Sequence, residues 1–322
     1  MKNIQADIKS GNFKQVYLLY GEEAYLKQQY KQNLVKALNP DGDTMNFNHY
    51  EGKGIDVKQL IDLCETMPFF AERRVVLLED TGFFKNKCEE LADYMKELPD
   101  YLYLVFAETE VDKRNRMYKA VKACGSIAEF IRQDEKPLMR WAAGILGKAG
   151  KKITQRDMEL LLTKTGTDMG NLRMEMEKLI SYTEGRDVVT AEDIEEICTT
   201  QTTNRIFDMV RAVTEKNQKR ALELYYDLLT LKEPPMRILF LLAKQYRQLL
   251  LAKQFAAAGL AQTEIASKLG VPGFVVRNIT TCARAYTISE LEQAVKDFVD
   301  AEESVKTGRL EDKLSVELLI IK

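Results

Sequence analysis

An apolar run, Val16-Tyr17-Leu18-Leu19-Tyr20, ends at Gly21 and gives way to Glu22-Glu23-Ala24-Tyr25-Leu26-Lys27-Gln28. A glycine between a buried strand and a helix is where a phosphate-cradling loop would stand. Such a loop reads G-x-x-x-x-G-K-S/T, because backbone amides and a lysine must surround the phosphates and a hydroxyl must reach magnesium. This chain has no second glycine, no Gly-Lys pair and no Ser or Thr at those places. Two glutamates stand where polyphosphate charge would lie and would repel it, although they suit a helix start through the macrodipole. Glu79-Asp80 resembles a metal-holding acidic pair but has no phosphate loop to serve. The expectation is therefore a helix-starting role for Glu22 and Glu23 and no ATP hydrolysis.

The other chemistry-bearing residues are sparse. His49 is the single histidine, which excludes zinc sites built on several histidines and argues against a His-based triad. The five cysteines, at 64, 88, 124, 198 and 282, show no metal or redox spacing and read as buried thiols of a reducing compartment. No catalytic residue, cofactor or metal ligand is assigned. Charged clusters remain. Lys113, Arg114, Arg116, Lys119 and Lys122 stand against one acid, Asp112, just after a strand; they can contact phosphates or an acidic neighbour, or form a solvated helix face. Arg237, Lys244, Arg247 and Lys253 dot one long helix and read as solvated. Residues 263–276, TEIASKLGVPGFVV, have helix-turn-helix character. A DNA reader needs base-reaching side chains early in the second helix, and here only Arg277 and Asn278 qualify, so helix packing is the favoured reading.

The stretch 60–80, LIDLCETMPFFAERRVVLLED, is the most unusual. An apolar helix pattern ends at Met67-Pro68, two adjacent phenylalanines follow, and a strand begins at Arg74. Phe69 and Phe70 can close the core beneath that strand, or stand out as an aromatic wedge flanked by Arg73 and Arg74, the composition of an interface anchor. The residue chemistry leaves the two alternatives open.

The elements that must position these residues follow from periodicity. Strands are expected at 16–20, 44–50, 74–79, 101–107 and 127–131, with helices at 22–38, 56–66, 86–97 and 114–123 between them. Alternation of this kind predicts a parallel sheet covered on both faces. After Gln133-Asp134-Glu135-Lys136-Pro137 no segment reads as a strand. Helices are expected at 137–149, 155–164, 169–183 and 191–198, the last opened by the capping box Thr190-Ala191-Glu192-Asp193. Longer helices follow at 203–215, 218–231, 236–258 after Pro234-Pro235, 262–269, 273–285, 288–306 and 310–321. The formal net charge is −2, so no global positive field recruits nucleic acid. No apolar run approaches a membrane span, and MKNIQADIKSGNFKQ has no signal-like segment, so a cytoplasmic protein with no membrane partner is expected.

In the order and spacing of several pieces the chain resembles the delta subunit of the bacterial DNA polymerase III clamp loader. The pieces are Val16–Gly21 with Glu23 and Leu26, Met67–Ala71 before Val75–Glu79, Asp112-Lys113-Arg114, Gly166 with Asp168, Glu175–Leu179, Ile206-Phe207-Asp208, Pro235, Arg247, Glu264–Gly270 and Lys306-Thr307-Gly308-Arg309. The resemblance spans nearly the full length. It implies an AAA+-like N-terminal α/β domain with a five-stranded parallel sheet and no ATPase activity (1–135), then two all-α domains: a small helical lid (136–203) and a helical collar for oligomerisation (204–322). It implies a hydrophobic wedge that binds and opens the ring-shaped sliding clamp (the beta subunit), at positions that Met67, Pro68, Phe69 and Phe70 match. The family wedge pairs an aliphatic residue with an aromatic one, from which Phe69 departs. Met174 stands where relatives have Asn, so the lid hydrogen bond of that Asn is absent. Further implied partners are the ATPase subunits (tau/gamma), the delta-prime subunit and primer-template DNA at replication forks, with Lys113, Arg114, Arg116 and Lys119 as candidate contacts to DNA or a neighbouring subunit. Two other classes compete with this one: an active ATPase with an atypical nucleotide loop, and a helix-turn-helix DNA-binding regulator.

Overall fold

Three continuous apolar runs and two short alternating segments, all too short for helices, set the architecture of the N-terminal unit. In a computed structural model, which describes residues 2–200 and 202–321, the chain forms two compact units, 1–133 and 134–322. Met1, Gln201 and Lys322, which fall in the expected domain ranges, lie outside the described residues.

The first unit runs α1 (Lys2–Ser10), β1 (Val16–Tyr20), α2 (Ala24–Leu38), β2 (Phe47–Glu51), α3 (Val57–Glu65), β3 (Arg74–Glu79), α4 (Glu89–Tyr94), β4 (Leu102–Glu108), α5 (Arg116–Cys124) and β5 (Ser126–Glu129). The five strands pair in parallel in the order β2-β3-β4-β1-β5. This is the helix-covered parallel sheet that the alternating pattern predicts, in keeping with the AAA+-like α/β domain that the resemblance implies. β1 is buried along its whole length, and β3 and β4 nearly so, because helices cover both faces. Val16, Leu18, Val76, Leu78, Leu104 and Phe106 share one cluster with Leu60, Cys64, Met117 and Val121 of α3 and α5. Leu26, Leu34 and Leu38 of α2 are buried as well.

Three local expectations need correction. The N-terminal α1 carries no strong apolar run and is absent from the periodicity reading. The helix expected at 86–97 shrinks to Glu89–Tyr94, because Phe83 and Phe84 turn inward before it and Phe84 meets Phe106 edge to face at 5.2 Å. Cys124 is exposed, whereas the other four thiols are buried; burial pushes Cys64 and Cys198 up to about 12.

The second unit is helical: α6 (Glu135–Lys148), β6 (Lys152–Ile153), α7 (Gln155–Thr165), α8 (Met169–Tyr182), β7 (Val188–Val189) and α9 (Ala191–Ile197) lead into α10 (Thr202–Thr214), α11 (Gln218–Thr230), α12 (Pro235–Ala257), α13 (Gln262–Leu269), α14 (Gly273–Ala283), α15 (Ile288–Lys306) and α16 (Asp312–Ile321). β6 and β7 form a short parallel pair, too brief for a two-residue period to reveal. Sequence-encoded caps set several boundaries. Thr154 Oγ1 accepts from the Asp157 amide, Thr190 and Asp193 complete the capping box, and Pro235 opens α12. Met174 is exposed, while Glu175 beside it is buried, pairs with Lys178 at 2.6 Å and accepts from the Thr199 amide at 3.1 Å.

Candidate protein-interaction loop

In an open parallel sheet, ligands bind outside the carboxyl ends of the strands. Here that edge is filled by the chain's own side chains. Lys31 of α2 reaches Glu79 at 2.6 Å, and His49 Nε2 lies 2.9 Å from the same carboxylate. Asp80 accepts from the amide and hydroxyl of Thr109 at 2.9 and 2.8 Å. Glu108 is buried and accepts from the Thr81 hydroxyl at 2.6 Å and the Thr81 amide at 3.1 Å; desolvation nonetheless pushes its carboxyl above the usual range. Lys27 donates to the Glu108 carbonyl at 2.9 Å, and burial lowers its ammonium below the usual value.

Gly21 has a structural reason to be glycine. Its φ is +127°, and a Cβ there would lie 2.2 Å from the Phe130 carbonyl oxygen. That close approach lets β1 run on beside residue 130, whose amide donates to the Tyr20 carbonyl at 2.7 Å. Glu23 is the N-cap residue of α2 and is buried, and Glu22 faces Arg132 at 3.6 Å. Both glutamates therefore precede the helix rather than lie in its first turn, and Glu23 caps it by position without a side-chain hydrogen bond to it.

The opposite edge, at the amino ends of the strands, behaves differently. The loop between α3 and β3 turns its apolar side chains outward: Met67 is 74% exposed, Phe69 57% and Phe70 95%, with Pro68 half-buried between them. The two rings meet edge to face at 4.5 Å, a favoured aromatic geometry. Neither fills the core, which removes the core-plug alternative. Phe70 has a φ of +48°, a left-handed conformation uncommon for a bulky residue.

Two buried polar side chains hold the backbone beneath these rings. Arg74, at the start of β3, is 5% exposed. Its Nε donates to the Thr66 carbonyl at 2.8 Å, Nη2 to the Met67 carbonyl at 3.3 Å and Nη1 to Asn48 Oδ1 at 3.1 Å. These bonds satisfy carbonyls left free where α3 ends. Asn46, just before β2, is 4% exposed. Its Oδ1 accepts from the Phe69 amide at 2.6 Å and its Nδ2 donates to the Phe69 carbonyl at 2.8 Å. Arg73, expected as a flank of the wedge, instead lies over Phe13 and Tyr103, 5.2 and 5.5 Å from the ring centres. Nothing in the local sequence marks Asn46 as part of this site.

The basic cluster after β4 is largely paired within the chain. Lys113 meets Glu129 at 2.8 Å, Arg114 meets Asp112 at 3.1 Å, and Arg116 meets Asp93 at 2.6 Å and Glu89 at 3.6 Å. Lys119 is exposed on α5. Carboxylates distant in sequence thus offset much of the cluster, which favours a solvated, charge-balanced face. The helix-turn-helix pattern does form, with Gly270 in a left-handed conformation between α13 and α14. Its second helix buries Phe274, Val276 and Ile279, and Arg277 is drawn to Glu159 at 3.4 Å and Glu135 at 3.9 Å. Arg277, one of the two residues placed to read a base, is thus exposed and ion-paired within the chain.

With this geometry in view, comparisons with known proteins are specific. Residues 17–130 match the family described as DNA polymerase III, delta subunit, and residues 203–322 match the DNA polymerase III delta subunit, C-terminal domain. The chain is 26% identical to DNA polymerase III subunit delta of Bacillus subtilis, over 99% of this chain and 95% of that one. It is 22% identical to the probable DNA polymerase III subunit delta of Aquifex aeolicus, over 80% of this chain and 75% of that one. Its fold is similar to that of the solved Bacillus subtilis DNA clamp loader delta protein, with a TM-score of 0.67 at 24% identity over 99% and 98% of the two chains. The chain belongs to the DNA polymerase III delta subunit family.

Proposed function

We propose that this chain is the non-catalytic subunit of a clamp loader that binds and opens the sliding clamp during replication. The observation that carries the reading is the pair Phe69–Phe70, exposed at the tip of a backbone that two buried side chains hold in place. Two solvent-facing rings are costly to leave in water unless a partner covers them. Their burial in an apolar pocket contributes on the order of 3–6 kcal/mol gross, reduced by the costs of association. Met67 and Pro68 extend the apolar tip. The charge pairs at the carboxyl edge of the sheet support contact rather than catalysis as this subunit's contribution. Nucleotide turnover then falls to ATPase partners of the tau/gamma kind, with delta-prime completing the assembly in the cytoplasm.

The proposed division of labour follows the chain: 1–135 for the clamp, 136–203 as lid and 204–322 as collar. Lys119 and neighbouring cations are proposed to meet primer-template DNA or an adjacent subunit only within the assembly, since Lys113, Arg114 and Arg116 already have acidic partners. The test is clamp capture by the purified full chain, alongside the Phe69→Ala/Phe70→Ala double variant. Capture by the wild type and its loss from a folded double variant are expected. Equal capture by both would refute the wedge.

A further inference from the structure

The side-chain amide of Asn46 binds both backbone polar groups of one residue, Phe69, which lies 23 positions later in the chain. The contact imitates a neighbouring strand and fixes the peptide units on either side of Phe69. The next residue, Phe70, then takes its left-handed turn with φ +48° and projects its ring 95% into solvent. A conformation of that kind persists only where its surroundings over-determine it.

The surroundings of Asn46 do so. Its backbone carbonyl accepts from the Val75 amide of β3 at 2.9 Å. Its Nδ2 also donates to the Asp43 carboxylate, which in turn accepts from the Met45 amide at 2.8 Å. Asp43 is tied to the end of α2 by two bonds with the Asn39 side chain, at 3.0 and 2.8 Å. An unbroken series of hydrogen bonds therefore joins the end of α2 to the loop that carries the rings. Without it, two exposed rings on an unfastened loop would fold back onto nearby apolar surface.

We infer that Asn46 is the positioning residue of the aromatic wedge: it holds the Phe69–Phe70 backbone in its projecting, binding-ready form before any partner arrives. The inference rests on the reading of Phe69 and Phe70 as the clamp-binding wedge. Asn46 touches no partner itself; its effect is to remove the ordering cost that a loose loop would incur on binding.

The experiment measures two quantities on the full-length chain: hydrogen exchange at the Phe69 amide in the free protein, and affinity for the sliding clamp. The variants are Asn46→Ala, Phe70→Ala and the two together. Asn46→Ala is expected to speed exchange at Phe69 and weaken clamp binding about tenfold, with that second loss shrinking in the Phe70→Ala background because the two changes disable one device. Should Asn46→Ala be poorly folded, Asn46→Asp answers the same question. Made together with Asp43→Asn, so that no two carboxylates oppose each other, it keeps the acceptor for the Phe69 amide, removes the donor to its carbonyl, and is expected to give the same direction of change in both readouts. An unchanged affinity, or a loss that is fully additive with Phe70→Ala, would overturn the positioning role and leave Asn46 as an ordinary buried amide. If Phe70→Ala itself binds like wild type, the wedge reading fails; slow exchange at Phe69 in Asn46→Ala would separately overturn the anchoring.

Discussion

At the carboxyl ends of the sheet strands, Lys31, Glu79, Thr81 and Glu108 direct their charges and hydrogen bonds at one another. At the amino ends, Asn46 and Arg74 direct theirs at a loop backbone and leave two phenyl rings in solvent. The same kinds of polar group are buried at both edges. At one edge they close a place where ligands commonly bind in such sheets; at the other they hold two rings in solvent. The closed edge and the proposed docking loop are thus separate devices on one scaffold, and each can be broken alone.

The largest effect is expected at the closed edge. Gly21→Ala drives a methyl group into the Phe130 carbonyl and forces alanine to φ +127°. It should cost on the order of 3 kcal/mol of stability, read by denaturant unfolding. A fully stable Gly21→Ala protein would mean that this glycine is not needed for the close approach of the two strands. Next comes the open edge. Phe70→Ala removes the more exposed ring and should weaken clamp binding by about 2 kcal/mol, roughly 30-fold, with no loss of thermal stability. Phe69→Ala, at a less exposed position, should cost less in the same titration; the reverse order would assign the deeper insertion to Phe69.

Arg74→Met tests whether the scaffold beneath the rings is also part of the fold. It strips the Thr66 and Met67 carbonyls of donors and should lower stability by about 1–2 kcal/mol while speeding exchange in the loop. The smallest effect lies in the basic cluster. Lys113→Ala should lower the melting temperature only slightly at neutral pH, since the pair with Glu129 is exposed. Hydrogen bonding from Lys113 holds the Glu129 carboxyl below its ordinary 4.5. The pair's contribution is therefore present above that value and is lost as pH falls through the lower folded value. Melting curves below pH 4.5 should differ between wild type and variant less than those above it.

Sequence patterns carried the sheet because β1, β3 and β4 are continuous apolar runs, buried on both faces, that few other structures explain. Helix starts were legible where a cap or proline marks them, as Thr154 does for α7, Thr190 for α9 and Pro235 for the long α12. The loop was legible only as an oddity. Periodicity has no meaning at Met67–Phe70, so the exposure of the rings could not be read from spacing. Asn46 was invisible because its partner is 23 residues away and an asparagine before a strand is unremarkable. The basic cluster read as more cationic than it is, since Asp93 and Glu129, which offset it, belong to other elements.

The central proposal is that two exposed rings dock this chain on the sliding clamp. Its most direct measurement is the equilibrium affinity of the purified full chain for the sliding clamp, with Phe69→Ala/Phe70→Ala as the paired sample and melting curves for both. The account predicts tight binding by the wild type and none by an equally stable double variant. Equal affinities in the two proteins would contradict it.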